Sequence, residues 1–108
     1  MKKEIRLQVY KKYDGHCAYC GCEIQYKDMQ VDHIQPKRTM GNDDISNLLP
    51  TCRLCNHYKR GYVLEQFRVW LLGGLVDRLR KIYIVRVAEK YGMITFHEWD
   101  KKFYYEKE

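Results

Sequence analysis

The chain has 108 residues, a formal net charge of +6 and a pI near 9.1. That length suits one compact domain with a modest hydrophobic core, and it excludes two independent cores. The basic balance favours a polyanionic partner such as nucleic acid. The odd count of five cysteines and the charged start Met1-Lys2-Lys3-Glu4 argue against a secreted, disulfide-stapled domain and for a reducing cytoplasm; no apolar run is long enough to span a bilayer, so no membrane partner is expected.

Taken in chain order, Ile5, Val9 and Tyr13 recur at four-residue spacing among Lys and Arg, which predicts an amphipathic helix over residues 3–13 ended by Asp14-Gly15. Residues 16–47 are rich in turn formers and hold two short extended candidates, around 23–26 and 29–34, with Gly41-Asn42-Asp43-Asp44 marking a loop. Residues 47–62 begin extended and turn helical. Lys59-Arg60-Gly61 reads as the helix end, basic residues followed by a glycine stop. Beyond residue 63, Leu64, Phe67, Trp70, Leu71 and Leu72 cluster, Gly73-Gly74 predicts a break, and Val76, Leu79, Tyr83, Val87 and Tyr91 lie close to one helical stripe. Residues 82–87 are β-branched enough to read as a strand instead. Gly92 ends that segment, and the aromatic tail from Ile94 packs as a short helix or stays loose. The expected architecture is α+β: a single domain over 1–108, with a core at 14–62 and a mostly helical extension at 63–108.

Two CxxC pairs, Cys17-Ala18-Tyr19-Cys20 and Cys52-Arg53-Leu54-Cys55, carry the strongest signal. Each lets two thiolates reach one ion from a single tight turn, and two such turns complete the tetrahedron of a structural Zn²⁺. A redox CxxC would need a thioredoxin-like βαβ context, which is not visible. A closed four-thiolate site has no open coordination position, so any hydrolytic chemistry must come from other residues. Cys22 is left over, either a bland free thiol or a substitute for Cys20.

Between the pairs lies Val31-Asp32-His33-Ile34-Gln35-Pro36, with Asn47 and Asn56 following. Histidine is the natural base near neutral pH, and an aspartate and an amide oxygen are hard donors suited to Mg²⁺. Phosphodiester hydrolysis needs this pairing of a base with a cation. Adjacent residues on a strand point to opposite faces, so Asp32 and His33 serve one site only if the chain bends there. Singly, each residue has a commonplace reading: a satisfied histidine, a turn asparagine, a helix-capping Asn56.

Together, Cys17-Ala-Tyr-Cys20-Gly21, Val31-Asp32-His33-Ile34, Pro36, Gly41, Asn47-Leu48, Cys52-Arg-Leu-Cys55-Asn56 and Lys59 resemble the HNH endonucleases, the HNH domain of RNA-guided CRISPR effectors among them. The resemblance covers residues 16–61. It implies a ββα-metal (His-Me finger) core, with the N-terminal helix and the helical extension around it, and metal-dependent DNA cleavage. His33 would be the general base, Asp32 and Asn56 ligands of a catalytic divalent ion, and Asn47 a loop residue fixing the base-bearing strand. Because the third motif residue is Asn, the site looks like an H-N-N variant favouring Mg²⁺ or Mn²⁺. His57, one residue along, is the alternative ligand to Asn56.

Lys37, Arg38, Arg53, Lys59 and Arg60 flank these motifs and are expected to meet DNA phosphate, which gives affinity without a sequence code. Arg78, Arg80, Lys81, Arg86 and Lys90, interleaved with Asp77 and Glu89, read as a solvated helix face. The alternative function is a non-catalytic, zinc-stabilised DNA-binding module. The extension is expected to serve as a surface for homodimerisation or for docking to a larger complex.

Overall fold

A computed structural model describes residues 1–107 of the chain; Glu108, the end of the expected extension, lies outside the described residues. The chain packs as two compact units, Met1–Leu64 joined by the chain from Lys102 onward, and Glu65–Lys101. The tail thus leaves the extension drawn at 63–108 and returns to the first unit.

The first unit is built on α1 (Lys3–Lys11), an antiparallel hairpin of β1 (Gln30–His33) and β2 (Leu48–Thr51), and α2 (Arg53–Lys59). Gln30 pairs with Thr51 and His33 with Leu48. Every residue of β2 is buried. Val9 from α1, Met29 and Leu48 form a buried cluster, with Ile5, Tyr10, Ile24 and Val31 packed on it. Two basic residues of the first helical segment act structurally. Arg6 donates to the carbonyls of Tyr26 and Met29, both at 2.8 Å, and Lys12 Nζ donates to those of Ile45 and Leu48 at 2.9 and 2.7 Å. Both side chains thereby satisfy backbone acceptors at the strand ends and in the turns that lead into them.

The first extended candidate, around 23–26, is not a strand. It makes one isolated bridge, Glu23 with His16, and then a 3₁₀ turn at Tyr26–Asp28. The tail is ordered against the first CxxC turn: Tyr105 N–H donates to the Ala18 carbonyl at 2.8 Å and Tyr104 N–H to that of Tyr19 at 3.0 Å. Phe103, 1% exposed, meets the Tyr19 ring edge-on at 5.1 Å.

In the second unit, the segment from α3 (Leu64–Val69) to α4 (Leu75–Arg80) is bridged by a π-helical turn, Trp70–Gly74. The break expected at Gly73-Gly74 is therefore a widened helical turn. Residues 82–87 are not extended: the helix α5 (Tyr83–Lys90) takes up all but the first of them. An Arg80–Glu89 ion pair of 2.8 Å ties α4 to α5. No helix among the described residues is long and apolar enough to cross a membrane.

Candidate active site

The Sγ atoms of Cys17, Cys20, Cys52 and Cys55 all lie within 4.8 Å of one another, with Cys20 and Cys52 at 3.9 Å. Tetrahedral zinc with Zn–S bonds of about 2.3 Å spaces its sulfurs by about 3.8 Å, so the cluster fits that ion. The first turn is shaped by Gly21, whose φ of +83° favours glycine and whose missing Cβ makes room for the Tyr104 ring. The second turn opens α2: Cys52 is its N-cap, and its Sγ accepts from Cys55 N–H at 3.5 Å. The hydrogen bond between Cys55 and Cys17 lowers the pKa of Cys17 and pushes that of Cys55 up. Four sulfurs this close do not all lose their protons without a cation between them. Cys22 is exposed and lies outside the four-sulfur cluster. His16 stacks on Tyr104 beside the first turn, ring centroids 5.5 Å apart.

Cys55 and Asn56 are consecutive, so the sulfur cluster anchors the turn of α2 that faces β1. Asn56 Nδ2 donates to Gln30 Oε1 at 2.6 Å, and Lys59 Nζ lies 2.8 Å from Asp32 Oδ2. Gln30 and Asp32 alternate along β1 and both meet α2, which defines one face of the strand. Tyr19, from the first CxxC turn, donates its hydroxyl to the same Oδ2 at 2.6 Å. Burial first, and then the Asp32 carboxylate, push the Tyr19 pKa up, so the phenol stays a donor. Both contacts to Asp32 fall on Oδ2, and the contact to Asn56 falls on Nδ2. Asp32 Oδ1 and Asn56 Oδ1 therefore keep their lone pairs among the described residues. These are two hard oxygen donors, as a divalent ion such as Mg²⁺ requires.

His33 projects from the other face, at the end of β1. Its Nε2 lies 2.7 Å from Asp43 Oδ1, and Lys37 Nζ lies 2.8 Å from Asp43 Oδ2. The hydrogen bonds of Asp43 with His33 and then with Lys37 hold its pKa below the usual carboxylate range. Asn47 closes the intervening loop. Its Oδ1 accepts from Gln35 N–H at 2.8 Å, while its Nδ2 donates to the carbonyls of Asn42 and Gln35 at 2.7 and 3.1 Å. Its backbone carbonyl also accepts from Ile34 N–H, extending the hairpin by one bond.

At the β1–α2 junction Asp32 meets Lys59 and Asn56 meets Gln30. The structure places His33 in a separate open cleft with Met1, Lys2, Ile5, Lys37 and Asp43. Arg53, Asn56, His57, Arg60 and Gln30 line a second, polar cleft. Lys59 corrects the expectation of a phosphate contact: its side chain is fully buried, and its ammonium neutralises Asp32 instead. Arg38 is spent partly on structure, donating from Nε to the Gly61 carbonyl at 2.7 Å and lying over the Tyr62 ring. Three contributors were not singled out from sequence. Gln30 shares a face with Asp32 two residues on, a signal that strand alternation carries. Tyr19 and Asp43 left no such signal, one being a spacer inside CxxC and the other a loop residue.

The family model described as HNH endonuclease matches residues 17–72, more than half of the chain. The chain belongs to the HNH endonuclease family. Among its relatives, the Septu protein PtuB of Bacillus thuringiensis is 37% identical over 62 residues, covering 54% of this chain and 24% of that protein. The CRISPR-associated endonuclease Cas9 of Corynebacterium diphtheriae is 32% identical over 66 residues, covering 60% of this chain and 6% of Cas9. The crystal structure of the Type II-C Cas9 enzyme from Actinomyces naeslundii matches with a TM-score of 0.53 at 28% identity, over 60% of this chain and 8% of that one. The match thus takes in under a quarter of the length of each of these relatives. Family and geometry agree on an α+β HNH core with four cysteines clustered at metal-binding distance.

Proposed function

We propose that the protein is a metal-dependent DNA endonuclease in which His33 activates water, while Asp32 and Asn56 hold a hard divalent ion, Mg²⁺ or Mn²⁺. The observation that supports the reading is the β1–α2 junction, where Asp32 and Asn56 offer oxygen donors on one face of β1. His33 leaves the opposite face of the same strand, so the reading requires its imidazole to turn toward the ion when substrate is bound. Such an ion, when bound, supplies charge stabilisation for the scissile phosphate and the departing oxygen. The four cysteines hold a structural Zn²⁺ that takes no part in the chemistry and anchors the start of α2, where Cys52 is the N-cap. Asn47 fixes the loop beside the base. Arg53 and Arg60, in the cleft with Asn56, and Lys37 and Arg38, after β1, supply phosphate contacts.

The buried Asp32–Lys59 pair favours a second reading, a zinc-stabilised DNA-binding module, because an aspartate already neutralised by a lysine has less need of a cation. Plasmid nicking decides between them. Parent protein with Mg²⁺ or Mn²⁺ is expected to nick, and His33→Ala to lose nicking while keeping its zinc. A parent that never nicks but binds duplex with a steep salt dependence supports the module. In either case the second unit supports the docking role expected of the extension, since Tyr83, Ile84 and Tyr91 expose apolar surface on and beside α5. Sedimentation across a concentration series tests whether that surface joins two copies.

A further inference from the structure

We infer that Asp43 is a positioning residue for His33, holding the imidazole so that Nδ1 is the nitrogen that takes the proton from water. The inference rests on the nuclease reading proposed for this site. Its geometric basis is the contact of Asp43 Oδ1 with His33 Nε2 at 2.7 Å, backed by Lys37 on Oδ2 at 2.8 Å. A neutral imidazole carries one N–H, and a carboxylate that only accepts draws it to the facing nitrogen. The N–H then sits on Nε2, and the lone pair sits on Nδ1.

Asp43 is half exposed, so its own side chain does not make the contact durable; the loop does. Asn47 Nδ2 grips the carbonyl of Asn42, the residue just before Asp43, and the same amide grips Gln35, two residues after His33. Asn47 N–H donates to the carbonyl of Asp44, the residue just after Asp43, at 2.7 Å. At the other end, Gly41 N–H donates to the Pro36 carbonyl at 2.9 Å, and a Cβ on Gly41 would run into the Gln35 carbonyl. One asparagine and one glycine thus fix the acid and the base to a single frame, and a glycine is required where two backbone segments pass this closely.

In the reaction, a proton passes from water to His33 Nδ1 and the water oxygen bonds to phosphorus. The bond to the 3′ oxygen breaks, and that oxygen takes a proton from solvent. The imidazolium left behind has its positive charge beside the Asp43 carboxylate, which stabilises it relative to an unpartnered ring. The hydrogen bond with His33, and then that with Lys37 on the other carboxylate oxygen, lower the Asp43 pKa.

The test uses the full-length, zinc-loaded chain and two readouts. By NMR, the parent is expected to show a downfield His33 Nε2–H proton protected from solvent exchange; Asp43→Ala loses it, and Asp43→Asn, which keeps an acceptor oxygen, retains it. In plasmid nicking, Asp43→Ala is expected to lower kcat on the order of ten- to hundredfold with KM little changed, and Asp43→Asn to recover part of the loss. A parent without the protected Nε2–H signal, or an Asp43→Ala variant that nicks at the parental rate, overturns the inference. A parent that cuts no DNA sinks the nuclease reading and the catalytic half of the inference with it. The proton signal then decides independently whether Asp43 orients the ring.

Discussion

Lys59 Nζ and Asp32 Oδ2 lie 2.8 Å apart, with the lysine side chain wholly enclosed and the carboxylate 11% exposed. Removing one partner of such a pair strands the other charge in a poorly solvated place. Lys59→Met is therefore expected to cost about 3–5 kcal/mol. Urea unfolding of the zinc-loaded protein measures this. The double variant Asp32→Asn, Lys59→Met should be more stable than the sum of the single losses implies, because residues in direct contact couple. Simple additivity would show that the pair does not act as one.

Asn47 spends its whole amide on backbone: one bond accepted and two donated within the loop that separates the strands. Asn47→Ala leaves those groups to water or unpaired, at a cost of about 1–3 kcal/mol. Amide hydrogen exchange should speed up around residues 35–44 in this variant, while zinc content stays at the parental level. An exchange pattern unchanged in that loop would mean the bonds do not hold it.

The sulfur cluster predicts about one tightly held zinc per chain. Cys55→Ser should release the metal and unfold the first unit, because the ligand turn is also the start of α2. Cys22→Ser should keep both metal and fold, since Cys22 lies outside the cluster. Colorimetric zinc release on denaturation, read beside circular dichroism, checks both. Loss of zinc from Cys22→Ser would make the fifth thiol a ligand.

Gly74 has helical backbone angles, φ −63° and ψ −36°, and a Cβ built at Gly73 or Gly74 meets nothing within 4 Å. Glycine inside a helix is less favourable than alanine by roughly 0.5–1 kcal/mol, chiefly through the unfolded chain. Gly73→Ala and Gly74→Ala should each stabilise the second unit by about that amount, read as a rise in its thermal midpoint. A fall instead would show that the π turn itself needs glycine.

Much of this protein is local, and what is local could be read from residue order. The two CxxC spacings set their own turns, the four-residue apolar spacing of Ile5 and Val9 marks α1, and alternation before His33 marks β1. Each depends on neighbours a few positions away, whose geometry the backbone dictates. Family membership followed from the same short motifs. Only tertiary structure decided which way Lys59 points, because a lysine at a helix end is equally at home in water until a buried carboxylate faces it. Only the closed loop brought Asp43 to His33, since a loop aspartate has no periodicity to betray its partner. The tail's return to Tyr19 and the helical passage through Gly73-Gly74 are likewise choices of packing, where distant side chains outweigh the small local preferences of one or two residues.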